Sequence, residues 1–248
     1  MRLTVVGCSG SRPGPESPAS CYLVDADGFR VVLDLGSGAV GPLQRHISLG
    51  DLDAVLLSHL HPDHCMDVLP LYVARTYDPR QRPGRLPVYG PTGADEHLAR
   101  AYGRGEEPGL AAAFGFVEWV AGPLPVGPFA VTVAQVAHPV QTWAMRLEHE
   151  GRSLVYSADT GPCDALVELA AGADVLLCEA SFQDGRNNPE SLHLTGREAG
   201  EHAQRAGVGR LILTHIPPWY DPADALAAAR SAFHGTVDLA RSDASYEI

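Results

Sequence analysis

The feature that most constrains this chain is "SHLHPDHCMD", residues 58–67, which follows directly on the apolar run "LDAVLL". Three histidines and two aspartates crowd the point where a buried strand should end. Imidazoles and carboxylates are costly to bury without partners, and a surface loop does not need them at this density. His59 and His61 are two residues apart, so in extended geometry their side chains point the same way. Asp63 and His64 follow at the expected start of a helix, which re-aims the next two groups toward the same point. The pattern H-x-H-x-D-H at a strand end thus gathers four metal-capable groups from six residues.

Three further positions are alike in kind. His138 closes "VTVAQVA", Asp159 closes "SLVYSA" and His215 closes "RLILT", each a ligand-type residue at the end of an apolar strand. Taken singly, each reads more readily as a cap or a core residue than as a ligand. Together with the first cluster they supply five histidines and two aspartates, enough for two divalent cations if one carboxylate bridges. Imidazole and carboxylate donors without thiolate suit Zn²⁺ and also admit Mn²⁺ or Fe, so zinc is the expected ion. His46, His97, His149, His202 and His234 lie in helix- or hairpin-like contexts and read as surface or packing residues. Asp34, which ends "RVVLD" before "LGSG", is expected to organise the loop around the site without binding metal.

The rest of the chain supplies an α/β frame. "RLTVVGC", "CYLVDADG", "FRVVLDLG" and "DAVLLSH" read as strands, with "DADG" as a hairpin turn. A helix is expected after Asp63 through "HCMDVLPLYVARTY", kinked at Pro70, then a strand "LPVYGP" and a helix from Thr92 to about Tyr102. "GFVEWVAG", "FAVTVAQVAH", "TWAMRLEHE" and "RSLVYSAD" look like one antiparallel run, with a turn at Gly151. The final third alternates helix and strand, and Gly/Pro-rich segments at 9–18 and 79–93 read as loops. Two halves, each with sheet and helices, predict sheet packed on sheet with helices outside, in one domain over residues 1–248.

Composition narrows the function. The net charge is −12 and all 18 basic residues are arginine, which removes any Schiff-base or lysine-nucleophile chemistry. An acidic protein is a poor binder of polyanions, because affinity for a phosphate backbone needs clustered positive charge. No apolar run is long enough to span a membrane, so no membrane partner is expected. The short apolar N-terminus and five scattered cysteines fit a cytoplasmic protein with reduced thiols. Arg75, Arg80, Arg82 and Arg85 gather in one loop, which reads as solvated, or else as a substrate rim or dimer contact. The loop over 9–20 reads as an ordinary connection or as a cover for the site.

The motif "HLHPDH", followed in order by His138, Asp159 and His215, resembles the metallo-β-lactamase superfamily over nearly the whole chain. The resemblance implies a four-layer αββα sandwich of two mixed sheets. It also implies that His59, His61 and His138 hold one metal, that Asp63, His64 and His215 hold the second, and that Asp159 bridges them. "CEASF" (178–182) and "HLTGREA" (193–199) resemble segments of the ribonuclease Z branch, with Cys178 where a histidine often stands. There the histidine contacts the phosphate or protonates the leaving oxygen and the glutamate supports it, roles that fall here on His193 and Glu179 beside Asp63 as catalytic residues. Thr195 and Glu198 also fit a capping box for the following helix.

Ribonuclease Z enzymes carry a long arm that grips transfer RNA between the third ligand motif and the bridging aspartate. Here only "PVQTWAMRLEHEGRSLVYSA" separates His138 from Asp159. "GCSGS", "PGPESPAS", "HCMD", "SADTGPCDALVELA" and "LTHIPPW" are similar to actinobacterial cyclic-nucleotide phosphodiesterases of the atypical class II. That likeness implies hydrolysis of a small phosphodiester, 3′,5′-cyclic AMP above all, to the 5′-monophosphate, by a homodimer that does not take large nucleic acids. The alternatives are a 3′-tRNA-processing endoribonuclease and a non-catalytic scaffold. A β-lactamase or thioester hydrolase would leave His193 and Glu179 without a use.

Overall fold

The structure, a computed structural model, describes residues 1–105 and 107–248. Its first sheet takes β1 (Arg2–Gly7), β2 (Cys21–Ala26), β3 (Phe29–Leu33), β4 (Ala54–Leu56), β5 (Leu86–Gly90) and β6 (Phe114–Glu118). The second takes β7 (Gly122–Val126), β8 (Phe129–Gln135), β9 (Trp143–His149), β10 (Arg152–Tyr156), β11 (Val175–Glu179), β12 (Arg210–Thr214) and β13 (Thr236–Leu239). Last in the chain, β14 (Ser245–Glu247) returns to the first sheet and pairs with β1. The sheet orders are β14-β1-β2-β3-β4-β5-β6 and β13-β12-β11-β10-β9-β8-β7.

Residue alternation explains the layers. In β3, Val31 and Leu33 face the other sheet while Val32 faces the helices, and in β11 Val175 and Leu177 face inward while Leu176 and Cys178 face outward. Strands covered on both sides must be apolar throughout, which is why these segments read as continuous hydrophobic runs. The inter-sheet core holds Leu3, Val24, Phe129, Leu147 and Leu154, and two outer cores lie under the helices. Over the first sheet pack α1 (Val40–Leu43), α2 (Pro62–Cys65), α3 (Val68–Tyr77) and α4 (Ala94–Ala101). Over the second pack α5 (Asp164–Leu169), α6 (Gly196–Ala206) and α7 (Pro222–Ala232). This is the expected αββα sandwich. Among the described residues no helix is long and apolar enough to cross a membrane.

The turns behave as their residues dictate. Asp27 and Gly28 both have positive φ and join β2 to β3, and Glu150 and Gly151 do the same between β9 and β10. Thr195 and Glu198 form the capping box of α6.

Three expectations need correction. The expected long helix after Asp63 is two helices, because Asp67 leaves the helical ladder: its N–H donates to Leu35 O and its carboxylate accepts from Gly38 and Val40 N–H. Pro70 therefore falls in the first turn of α3, where no N–H is needed, and makes no kink. "GFVEWVAG" does not join the antiparallel run. Its strand β6 pairs in parallel with β5 in the first sheet, and the run begins instead at β7, an edge strand whose Pro123 and Pro125 suit an edge. Of residues 79–93, β5 occupies the middle and only its flanks are loop.

Candidate metal centre

Strand direction assembles the site. β10, β11 and β12 run parallel, and β8 and β10 are both antiparallel to β9, so all four leave the second sheet at one edge. His138, Asp159, Ser181 and His215 follow those strands there. The end of β4 brings His59, His61, Asp63 and His64 from the first sheet, and Trp143 N–H, donating to Ser58 O at 3.0 Å, ties the two edges together. Two glycines let the chain pass closely. A Cβ on Gly36 would lie 1.9 Å from Asp63 O, and one on Gly10 would lie 2.2 Å from His215 O. Asp34, Ala158 and His215 all hold left-handed φ near 55°, at 58°, 54° and 54°. Such strain costs about 1–3 kcal/mol per residue and persists where the surroundings over-determine it.

All seven residues marked as ligands in the sequence converge. His59, His61, His138 and Asp159 form one group able to hold a metal ion, and Asp63, His64, Asp159 and His215 form another. Asp159 belongs to both. His59 Nε2 lies 3.0 Å from His61 Nδ1, His138 Nε2 lies 3.4 Å from that same atom, and His64 Nε2 lies 3.1 Å from His215 Nε2. Asp63 Oδ2 is 3.1 Å from His215 Nε2.

The surrounding bonds fix which nitrogen is bare. Asp34 is buried and accepts from Ser58 N–H, Ser58 Oγ, Tyr156 OH and His64 Nδ1, at 2.7, 2.7, 2.8 and 2.7 Å. A carboxylate offers no proton, so His64 Nδ1 is the donor and its Nε2 carries the lone pair. Ser58 gives its one proton to Asp34 and so accepts from His59 Nδ1 at 3.0 Å. His138 Nδ1 donates to Leu192 O at 2.9 Å. Ser181 Oγ donates to His215 O and accepts from His215 Nδ1, both at 2.8 Å. Four histidines thus aim their Nε2 atoms inward, at separations that a shared cation or a shared proton reconciles.

Electrostatics divide the histidines. Burial and the neighbouring imidazole of His64 push His59 well below the ordinary histidine value, and burial lowers His61 and His138, so protons are disfavoured there. His64 goes the other way: against burial, the Asp159 and Asp34 carboxylates raise it well above the ordinary histidine value, so a cation there competes with a proton. Although burial opposes it, Asp159 is held well below the usual carboxylate range by His215 and His64, and Asp63 is lowered by His215. Asp159 Oδ1 lies 3.3 Å from His64 Nε2 and 3.4 Å from His215 Nδ1 but makes no aligned hydrogen bond, an orphaned buried acceptor at the shared centre. Histidine nitrogens and carboxylates around an unpaired anionic oxygen fit a divalent cation.

His193 and Glu179 stand beside these groups. Glu179 is fully buried, accepts from Thr160 and Ser181 N–H, and accepts from His193 Nδ1 at 2.9 Å. Against the penalty of burial, the Glu179 charge and hydrogen bond raise His193 to about 9, so it is protonated at neutral pH. Its ring centroid lies 5.6 Å from that of His138 and 5.7 Å from that of His215, one from each group.

Other marked residues fall elsewhere. Arg75 donates to Gly84 O, Arg80 pairs with Asp78, and Arg82 pairs with Asp51 and Asp53. Their loop enters the start of β5, which is parallel to β4, so it lies at the sheet edge opposite the metal-capable groups and forms no rim to them. Residues 9–11 cross His215, with Ser11 N–H 3.5 Å from its Nε2. His46 and His149 pair with Asp243 and Asp27, and His202 is on the buried face of α6, donating from Nδ1 to Glu198 O. Sequence reasoning missed Ser58, Tyr156, Ser181 and the Leu192 carbonyl. Ser58 and Ser181 could have been found from their places at strand ends next to His59 and Glu179. The other two carry no sequence signal.

Comparison with known proteins places this geometry. Residues 29–216 match the β-lactamase superfamily domain. An uncharacterized protein of Mycobacterium leprae, ML1173, is 46% identical over all of this chain and 89% of its own length. A ribonuclease Z of Mycobacterium bovis is 31% identical over 96% of this chain and 95% of that one. The crystal structure of the metallo-beta-lactamase fold protein YhfI from Bacillus subtilis superposes with a TM-score of 0.89 at 30% identity, over 100% of this chain and 99% of that one. With its fold, its His/Asp cluster and these relatives in agreement, the chain belongs to the β-lactamase superfamily, among its metallo-hydrolases.

Proposed function

We propose that the protein is a binuclear metal-dependent phosphodiesterase that opens a 3′,5′-cyclic nucleotide, cyclic AMP above all, to the 5′-monophosphate. The observation that carries this reading is Asp159, a buried carboxylate shared by two metal-capable groups, with the His193–Glu179 pair set beside both. Two divalent cations bound there would supply Lewis-acid charge at the phosphoryl oxygens and a nucleophile from water at neutral pH. His59, His61 and His138 would hold one, and Asp63, His64 and His215 the other, with Asp159 between them. Zinc is the ion this donor set favours. Asp63 would also orient the attacking water.

His193 has the protonation state the leaving group requires. Glu179 holds the Nδ1–H and keeps the ring charged, which leaves the Nε2–H free to be given to the departing 3′-oxygen. Two backbone N–H groups, of Thr160 and Ser181, donate to the Glu179 carboxylate and hold it in place against the ring.

Likeness to ribonuclease Z favours a second reading, 3′-end processing of transfer RNA. Against it stand the net charge of −12 and the segment from His138 to Asp159, which is taken up by β9, its turn and β10 and has no room for an arm. A polyanion needs a basic track and loses affinity steeply with salt, whereas one cyclic phosphate needs only the cations and His193. The test is parallel incubation of metal-loaded protein with cyclic AMP, bis(p-nitrophenyl) phosphate, precursor tRNA and a β-lactam. Cyclic AMP opened to 5′-AMP, with efficiency nearly flat in salt, is expected. Clean 3′ cleavage of tRNA far outpacing cyclic AMP opening would replace this reading with the second.

A further inference from the structure

A cavity of about 310 Å³ lies next to the candidate metal centre, between the loop after β11, the loop after β12 and the first half of α7. Both loops begin at residues of the centre. Phe182 packs edge-on against His193 with ring centroids 5.0 Å apart, and Ile216 directly follows His215. Across the cavity stands Tyr220, with the Arg186 guanidinium 5.9 Å from its ring centroid. Gln183, Asp184 and, from the start of α7, Asp221 and Asp224 give the rim hydrogen-bonding groups. Small-molecule pockets combine aromatic and apolar walls with a few convergent polar groups, at volumes from about 300 Å³ upward. This cavity is of that kind, and the phosphodiester chemistry proposed above leaves it without a use.

We propose that this cavity is a nucleobase subsite, in which Tyr220 and Phe182 form the stacking walls and Tyr220 is a specificity-determining residue. The inference rests on the phosphodiesterase reading for the position of the phosphate. A phosphate at the metal-capable groups would place the sugar beside His193, and the base would continue past Phe182 into the cavity. An aromatic wall suits this because every base has a π-face, while Gln183 and Asp184 meet the polar edge of the base. Arg186 packed over Tyr220 holds the ring in place and adds a cation near the stack.

The experiment compares inhibitors that share a phosphate and differ in the base. Hydrolysis of bis(p-nitrophenyl) phosphate, which has no nucleobase, is inhibited with 5′-AMP or with ribose 5-phosphate in wild type, Tyr220→Ala and Tyr220→Phe. In wild type 5′-AMP should inhibit roughly tenfold or more better than ribose 5-phosphate, on the scale of one stacked base. Tyr220→Ala should remove most of that ratio while its thermal melting and metal content stay those of wild type, and Tyr220→Phe should restore it. Unchanged melting and metal content show that Tyr220→Ala is folded with its centre intact, so a lost ratio then reports on the base. Equal inhibition by both compounds in wild type, or an unchanged ratio in Tyr220→Ala, overturns the subsite. Neither result touches the phosphodiesterase reading, which fails separately if wild type does not open cyclic AMP.

Discussion

The two metal-capable groups share Asp159 and differ in almost everything else. His64 and His215 are fully buried and Asp63 nearly so, while the other group has one buried histidine, His59, and two half-buried ones, His61 and His138. The buried group is braced by one charge-assisted bond, His64 to the Asp34 carboxylate, and one neutral bond, His215 to the Ser181 hydroxyl. The open group is braced by neutral partners, the Ser58 hydroxyl behind His59 and the Leu192 carbonyl behind His138. A carboxylate behind an imidazole raises its basicity as a ligand more than a hydroxyl does. The buried group should therefore hold its cation more tightly and serve the fold, and the open group should exchange its cation and meet the substrate. The Leu192 carbonyl sharpens the contrast, because it ties the open group to the peptide that carries His193.

The largest effect should come from the residue that erases the contrast. Asp159→Ala touches both groups, so metal content and hydrolysis should fall together to background, checked by elemental analysis beside an activity assay. The fold should loosen as well, since metal binding and folding are coupled. Retention of both cations in that variant would break the idea of a shared carboxylate.

Next in size is His193→Ala, which stands outside both groups. Turnover of cyclic AMP should fall by roughly 10²–10⁴ with metal content unchanged, the usual scale of general acid catalysis. The loss should shrink for bis(p-nitrophenyl) phosphate, whose leaving group needs no proton. Equal losses on both substrates would make His193 a positioning group. The pH profile carries the same information. His193 is raised to about 9, so its acid form is complete at neutral pH and is lost as pH rises through about 9, and bound cations can only move that limb downward. The stability contributed by the His193–Glu179 pair follows the same sign, present in full below the ordinary histidine value and lost through about 9. A limb absent from wild-type cyclic AMP hydrolysis but present in His193→Ala would contradict the assignment.

Smaller is Asp34→Asn, which keeps a residue tolerant of left-handed φ and removes the charge behind His64. It should cost about 10–100-fold in metal affinity. The loss should be greater in the buried group, because Asp34 touches His64 directly and reaches the other group only through Ser58 and His59; titration with a competing chelator measures it. Equal weakening of both groups would erase the distinction drawn between them. The smallest effect belongs to Arg82→Ala, at the opposite edge of the sheet. Activity should not change, and stability should move by no more than about 1 kcal/mol, because its ion pairs with Asp51 and Asp53 are exposed.

Much of the centre was legible because its chemistry and its spacing coincide. A strand period of two aligns His59 with His61, and His138, Asp159 and His215 at three apolar strand ends gain their meaning together with that cluster, though each alone could cap or pack. The four-layer order was legible from runs apolar on both faces. Three features were not. β6 and β7 are short and separated by a bend, and nothing local says which sheet each joins. The break between α2 and α3 depends on Asp67 meeting Gly38 and Val40, residues distant in sequence. The Leu192 carbonyl is a backbone atom, invisible to any reading of side chains.

The most direct test of two unequal groups joined at Asp159 is graded chelation of the native protein, with metal per chain and hydrolysis followed together. About two cations per chain are expected, as in a two-metal site. They should leave in two steps, and hydrolysis should end with the first, when the open group of His59, His61 and His138 empties. Full activity with one cation per chain, or release of both in a single step, would contradict the account.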